Sequence, residues 1–225
     1  PTNLVEIGAY AFANNVMSNA KKPFIIPSKV KIIGQSAFMN NQLRGVTLPN
    51  SVTTLGEHIF SSNSMNKVVI GSGVTVIPTG AFLWNRITSL TVPKTLKSIG
   101  NAAFMQNQLP RVVLPEQVVH IGNDAFSSNA ITSATLPKKL VTLGDRAFLN
   151  NLLTTLTIPA STTTFEFNAV AANPIKSVVI NGSKTTIKNS YLEPEIKGIY
   201  TNATFTNAWS NWNTMTKPIT FYIKY

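Results

Sequence analysis

A period of 22 residues governs most of this 225-residue chain. Phenylalanine recurs at that spacing, and an asparagine follows each one three residues later, at Phe38/Asn41, Phe60/Asn63, Phe82/Asn85, Phe104/Asn107, Phe126/Asn129 and Phe148/Asn151. The asparagines continue to Asn173, where Val170 replaces the phenylalanine. An earlier unit with Phe12 and Asn15 is displaced by 26 residues, with the extra four in the stretch 16–22. This period predicts an array of stacked repeats, because one unit alone cannot bury its apolar face.

The unit 87–107 shows what each repeat contributes. Leu90 and Val92 alternate with polar residues, as in a half-buried strand, and Pro93 ends the strand because proline cannot donate a ladder hydrogen bond. Ile99 is a further apolar position, glycine follows at a turn, and NAAF suits one turn of helix. Stacking then places parallel strands on one face, with all the phenylalanines, Phe12 included, in a buried column. We expect the asparagines to form a second column bonded to backbone, since buried amides need partners.

The repeat resembles a known family. The strings LPNSVTTLGEHIFSSN (48–63) and LPEQVVHIGNDAFSSN (114–129) are similar to the leucine-rich repeat of the BspA-like, or Treponema pallidum, type. The resemblance covers residues 1–181, about eight units. It implies a leucine-rich repeat solenoid, a right-handed superhelix with short parallel strands on one face and short helical turns and loops on the other. It also implies a secreted or surface-anchored bacterial protein that binds host or cell-surface partners.

Residues 182–225 depart from the repeat. We expect a degraded repeat or cap and then a small β-rich C-terminal module, in which the closing PITFYIKY alternates like a strand. The segments GIYTN (198–202) and TFYIKY (220–225) are similar to the second half of the Listeria–Bacteroides repeat. Such modules often follow leucine-rich repeats in Gram-positive surface proteins. The chain also begins inside a repeat unit, which favours a fragment of a longer secreted or wall-attached protein.

The composition and motifs indicate no catalytic, cofactor or metal site. There is no cysteine for disulfides or thiolate metal sites, and no apolar run approaches the ~18 residues of a membrane span. His58 and His120 occupy different repeat positions, and neither a phosphate-binding loop nor a nucleophile elbow is present. Glu57, Asp124 and Asp145 precede the A-F turn, where we expect them to cap a short helix. We therefore predict no enzyme activity, no cofactor and no metal.

The net charge of +11 attracts anionic partners, and it serves solubility equally well. Because side chains alternate along a strand, the residues beside each inner pair should form an outward face with no acid. From this face we predict a partner-binding set: Arg44, Thr47, Lys67, Val69, Thr91, Arg111, Val113, Thr135, Thr157 and Lys176. The alternative is a plain exposed sheet, since threonine is ordinary strand composition. A second basic set follows the strand-ending prolines: Lys29, Lys31, Lys94, Lys97, Lys138 and Lys139.

The sequence favours a non-catalytic interaction module of a bacterial cell-surface protein. It would be adhesin-like, extracellular and monomeric, and its strand face would bind a host or cell-surface protein, an anionic glycan or a wall polymer. Aromatic residues do not interleave with the basic ones, which argues against nucleic acid. The alternative is a structural spacer that displays other domains from the cell wall, because a spacer tolerates any solvated surface.

Overall fold

The computed structural model describes residues 3–18, 24–181, 186–188 and 220–223, which form a parallel β-solenoid of stacked coils. In chain order the strands are β1 (Glu6–Ile7), β2 (Ile32–Ile33), β3 (Gly45–Thr47), β4 (Thr54–Leu55), β5 (Lys67–Val69), β6 (Val76–Ile77), β7 (Ser89–Thr91), β8 (Ser98–Ile99), β9 (Arg111–Val113), β10 (His120–Ile121), β11 (Ser133–Thr135), β12 (Thr142–Leu143), β13 (Thr155–Ile158), β14 (Thr164–Glu166), β15 (Ser177–Ile180), β16 (Thr186–Lys188) and β17 (Thr220–Ile223). Within the described residues the only helix is a short 3-10 segment, Phe167–Val170. The prediction of a solenoid with short parallel strands is confirmed.

The front sheet is the side of the solenoid that carries the strand face expected from the sequence. It contains β3, β5, β7, β9, β11, β13, β15 and β17. Its pairs are parallel and one repeat apart from β3 to β15, as in Val46 with Val68, and Val68 is buried while Lys67 is exposed. The strand expected in the tail is β17, which pairs with β15. The rest of the proposed C-terminal module lies mostly outside the described residues, and the boundary at 181–182 stays a prediction.

The solenoid also has a second parallel sheet, the back sheet, whereas the sequence pattern predicted strands on one face only. It contains β1, β2, β4, β6, β8, β10, β12, β14 and β16. The backbone around the buried Ile99 pairs with the coils on both sides, and the N–H of Gly100 donates to the carbonyl of Ile77 at 2.7 Å. A Cβ on Gly100 would lie 2.7 Å from the backbone nitrogen of Thr79. Glycine is therefore needed here because two coils approach closely.

Proline interrupts each sheet at one place. In the back sheet Pro78 occupies the glycine position and has no N–H to donate, and the ladder is broken between β4 and β6. In the front sheet Pro110 occupies the position from which Thr88 and Thr132 donate to the preceding coil, each at 3.0 Å. The front ladder is accordingly broken between β7 and β9. A further interruption, between β11 and β13, involves no proline.

The phenylalanine column fills the core of the solenoid. Its members from Phe38 to Phe148 are at most 1% exposed, and neighbouring rings stack with centroids 5.2 to 5.6 Å apart. Phe12 stacks on Phe38 at 5.2 Å but remains 42% exposed. The prediction that Phe12 is buried with the others is therefore wrong. Among the described residues it has a ring of the column on one side only.

The asparagine column joins each coil to the one before it. Asn107 Nδ2 donates to the carbonyls of Phe82 at 2.9 Å and Phe104 at 3.1 Å, and its Oδ1 accepts the N–H of Ile87 at 3.0 Å. The same pattern recurs at Asn41, Asn63, Asn85, Asn129, Asn151 and Asn173. The predicted hydrogen bonding of buried amides to adjacent coils is confirmed. Asn15 is different: it is exposed, and its amide donates to Ala13 within its own coil.

The NAAF segment differs from the single helical turn expected. The N–H groups of Ala102, Phe104 and Gln106 donate to carbonyls of the following coil at 2.8 to 2.9 Å. Ala102 and Gln106 have φ of 51° and 54°, in the left-handed region that interrupts a helix. The turns are thus bonded mainly to their neighbours, because stacking offers these amides partners that an isolated turn would lack. Glu57, Asp124 and Asp145 lie in such turns and are not helix caps.

Phe104→Ala should lower the free energy of unfolding by roughly 3–5 kcal/mol, the usual effect of emptying a core aromatic site. The ring is fully buried between Phe82 and Phe126, so coils on both sides limit relaxation. Phe12→Ala is the matched control and should matter less, because that ring is 42% exposed. A urea titration measures both variants. Equal midpoints for the wild type and Phe104→Ala would contradict the stacked core.

Asn107→Ala should lower the free energy of unfolding by about 1–3 kcal/mol, since it leaves buried backbone groups without partners. Asn15→Ala removes the same side chain from an exposed position and should change stability by no more than about 0.5 kcal/mol. Thermal unfolding followed by circular dichroism compares the two. If both variants unfolded at the wild-type temperature, the amide column would not be holding the coils together.

Candidate ligand-binding surface

The residues of the predicted partner-binding set lie on the outer side of the front sheet. Nine of the ten are exposed, and Val69 is half-buried. Strand register arranges them in columns along the solenoid. The members of the columns are Thr47, Val69, Thr91, Val113, Thr135 and Thr157 in the first, Lys67 and Arg111 in the second, and Arg44 and Lys176, just before the strands, in the third.

The four basic residues of this set do not form one cluster. Neighbouring strands in a sheet are ~4.8 Å apart, so Arg44 and Lys67, in successive coils, lie side by side. Arg111 is two coils further on, which is about 10 Å from Lys67 along the solenoid axis. Lys176 is six coils from Arg44, or about 29 Å. The structure therefore brings together only the first pair.

An open groove of about 630 Å³ lies beside the starts of the first front strands. Its lining falls into two columns. One column consists of Gln42, Ser64, Arg86 and Gln108, and the other of Arg44, Asn66 and Thr88, with Ser18 beside Gln42 at one end. Residues two apart on an extended chain point to the same side, and the residue between the columns is buried in each coil, as Leu43 and Ile87 are. Both columns therefore face outward.

Every described side chain that lines this groove is polar, and two are cationic. From Ser18 to Gln108 the groove crosses four coil-to-coil steps, a length of about 19 Å. The amides of Gln42, Asn66 and Gln108 can each donate and accept hydrogen bonds, and the serines and threonine add hydroxyls. The groove can therefore hydrogen-bond an extended polar ligand along its length.

Negative charge lies elsewhere in the described part of the chain. The acids there stand in the back sheet or in turns: Glu6, Glu57, Glu116, Asp124, Asp145 and Glu166. Two of them hold Arg146, with Arg146 Nη2 at 3.0 Å from Asp124 Oδ2 and Nε at 3.6 Å from Asp145 Oδ2. No described acid lines the groove that contains Arg44 and Arg86.

Of the residues lining the groove, only Arg44 belongs to the set predicted from the sequence. The column that contains Arg86 was missed because it precedes the strands. A signal was present, since these polar residues stand directly before a buried apolar residue in each unit, as Arg86 stands before Ile87. In later coils the same column becomes apolar, at Ala130, Leu152 and Pro174. The polar stretch is confined to the first half of the array.

The histidines lie apart, as their repeat positions predict. His120 begins β10 in the back sheet, and His58 lies in a turn; both are half-buried. The His58 ring covers Gly80, where a Cβ would lie 2.2 Å from Nδ1. Among the described residues, no three His, Cys, Asp or Glu side chains converge as metal ligands would. No helix within that part of the chain is long and apolar enough to cross a bilayer.

Comparison with protein families identifies the repeat. The model described as "BspA type Leucine rich repeat region" matches residues 5–86 and 75–197, with six copies. These ranges span most of the chain, including the groove and the front strands from β3 to β15. Compared with curated proteins, the sequence has no match.

Three solved structures match this chain, and the first of them shows similarity in fold. A leucine rich cell surface protein from Faecalibacterium prausnitzii is 22% identical with a TM-score of 0.50, and the similarity covers 83% of this chain and 61% of that one. The pneumococcal vaccine antigen PcpA is 20% identical with a TM-score of 0.38, covering 82% and 61%. A leucine-rich repeat protein from Bacteroides ovatus is 14% identical with a TM-score of 0.30, covering 84% and 76%. The chain thus spans about three fifths of the length of the first two proteins.

Proposed function

Because the chain belongs to the BspA-type leucine-rich repeat family, we propose that it is a non-catalytic interaction module of a bacterial cell-surface protein. The family supports a role in protein interaction or at the surface. The Faecalibacterium relative is named as a cell surface protein, which supports the same extracellular location here. The finer proposal is an adhesin-like module that binds a host or cell-surface protein, an anionic glycan or a wall polymer.

In this proposal the binding surface is the outer side of the front sheet. Every coil contributes to it, and solenoids use such extended surfaces for recognition. Its candidate residues are exposed apart from the half-buried Val69, and four of them are basic. The described acids lie on other sides of the molecule. An anionic partner would therefore meet this surface without local repulsion.

A structural spacer remains the second candidate. The basic residues of the face are spread over about 29 Å along the axis at one coil per ~4.8 Å. Between them the face carries mainly threonine, serine and valine, as an ordinary exposed sheet does. A spacer would need the stacked core and no particular residue on this surface.

The combined change of Arg44, Lys67, Arg111 and Lys176 to serine should weaken binding to host cells or to an anionic polymer by about fourfold or more. Each exposed charge contact contributes ~0.2–1 kcal/mol, and 1.4 kcal/mol corresponds to tenfold. Wild-type binding should also weaken with added salt, because the screening length shortens to ~8 Å at physiological ionic strength. Adhesion assays and polymer titrations at several salt concentrations measure both effects.

The control changes Lys94, Lys97, Lys138 and Lys139 to serine, which removes four charges outside the front sheet. It should leave binding nearly unchanged. Equal losses in the two quadruple variants would mean that total charge, and not the face, attracts the partner. If the wild type bound no surface component at all, the spacer would be the better account.

A further inference from the structure

We propose that the groove beside the front strands is a binding site for a carboxylate-bearing polysaccharide, whose acid groups are held by Arg44 and Arg86. This rests on the proposed function as a surface interaction module, and it names both a site and a ligand class. The site differs from the strand face proper, since Arg86 and its column precede the strands and lie outside the predicted binding set.

The charges in the groove suit repeated carboxylates. A guanidinium binds a carboxylate through two parallel hydrogen bonds, which an ammonium group cannot do. Arg44 and Arg86 belong to coils two steps apart, so their backbones are separated by about 10 Å along the axis. Two acid groups on one chain can therefore be held at once. None of the described residues that line the groove is acidic.

The neutral lining distinguishes a polysaccharide from a protein partner. The tightest contacts between proteins are made by apolar or aromatic anchors in water-excluding pockets, and the described residues of the groove offer no apolar side chain to receive one. Gln42, Asn66 and Gln108 instead present donors and acceptors. Sugar hydroxyls, which donate and accept, match these amides.

The shape of the groove favours a linear polymer over a single small anion. It is open to solvent, runs across successive coils from Ser18 to Gln108 and is about 19 Å long. The bases of single-stranded nucleic acid stack on aromatic side chains, and none occurs among the described residues that line the groove. An extended chain of uronic acid residues can therefore contact several coils at once.

The first test is calorimetric titration of the protein with polygalacturonate, a polymer of uronic acid. Arg86→Ser should weaken binding about tenfold, as expected for losing hydrogen bonds to a charged group. Arg86→Lys keeps the positive charge but lacks the two parallel N–H donors of the guanidinium, so the loss of affinity should be intermediate. Lys94→Ser removes one charge from a turn away from the groove and should bind like the wild type. If Arg86→Ser bound like Lys94→Ser, the groove proposal would be overturned.

The second test blocks the groove without changing charge. Ser64 lies in the groove lining, so Ser64→Trp should fill it and weaken polygalacturonate binding at least tenfold. Thr53→Trp adds the same bulk at an exposed position outside the groove and should have no effect. Thermal unfolding midpoints check that both variants fold. If Ser64→Trp does not fold, the affinity of Arg86→Ser decides whether the groove is the site. Unchanged affinity in a folded Ser64→Trp protein would contradict the site.

A third comparison separates the groove from the strand face. The double change Lys67→Ser, Arg111→Ser leaves every groove residue in place, so polygalacturonate binding should fall much less than in Arg86→Ser. The opposite ranking would overturn the groove and leave the proposed function standing. If the wild type attached to cells but did not bind polygalacturonate, the groove proposal would also be overturned and the proposed function would stand.

The ligand class is tested with other polymers. Neutral dextran should not bind, because it carries no acid group for the arginines. Polyphosphate should bind more weakly than polygalacturonate at matched charge density and salt, because it has no hydroxyl groups for Gln42, Asn66 and Gln108. Dextran sulfate should also bind more weakly, because a sulfate ester is a weaker hydrogen-bond acceptor than a carboxylate. Equal or tighter binding of either polymer would show that the groove recognises negative charge in general, and the carboxylate assignment would be wrong.

Discussion

The asparagine side chain that joins one coil to the next is the interaction on which the rest of the structure depends. Most strands here have only two or three residues, so each makes few ladder bonds, and a coil cannot stand alone. The buried amide of Asn107 bonds to the carbonyl of Phe82 and the N–H of Ile87 in the preceding coil. It thereby satisfies backbone groups at the bend where the sheets cannot.

Register follows from this repeated bonding. Each coil is held one repeat from the last, so the phenylalanines stack ring on ring, and each outward position becomes a column of side chains. The chemistry of the surface is then decided by which residues succeed one another within a column. Short side chains such as Ser64 and Thr88 beside longer ones such as Arg44 and Arg86 leave the groove open.

Close stacking also imposes conformations that most residues adopt reluctantly. The turns behind the front sheet place non-glycine residues such as His58, Ala102 and Gln106 at positive φ, at a cost of order 1 kcal/mol each. In return the N–H groups of these residues find acceptors in the next coil. The backbone of each coil is thereby bonded to the next one.

The sequence by itself determined the repeat, the parallel strands, the buried phenylalanines from Phe38 onward and the asparagine bonds. These positions point inward and meet the same neighbours in every unit, so the period alone identifies them. Only the tertiary structure decided the back sheet, the non-helical turns, the exposure of Phe12 and the groove around Arg86. These features depend on hydrogen bonds and distances between coils, which no single repeat contains. The separation of Lys176 from Arg44 belongs with them, because only the stacking step converts spacing in sequence into distance across the surface.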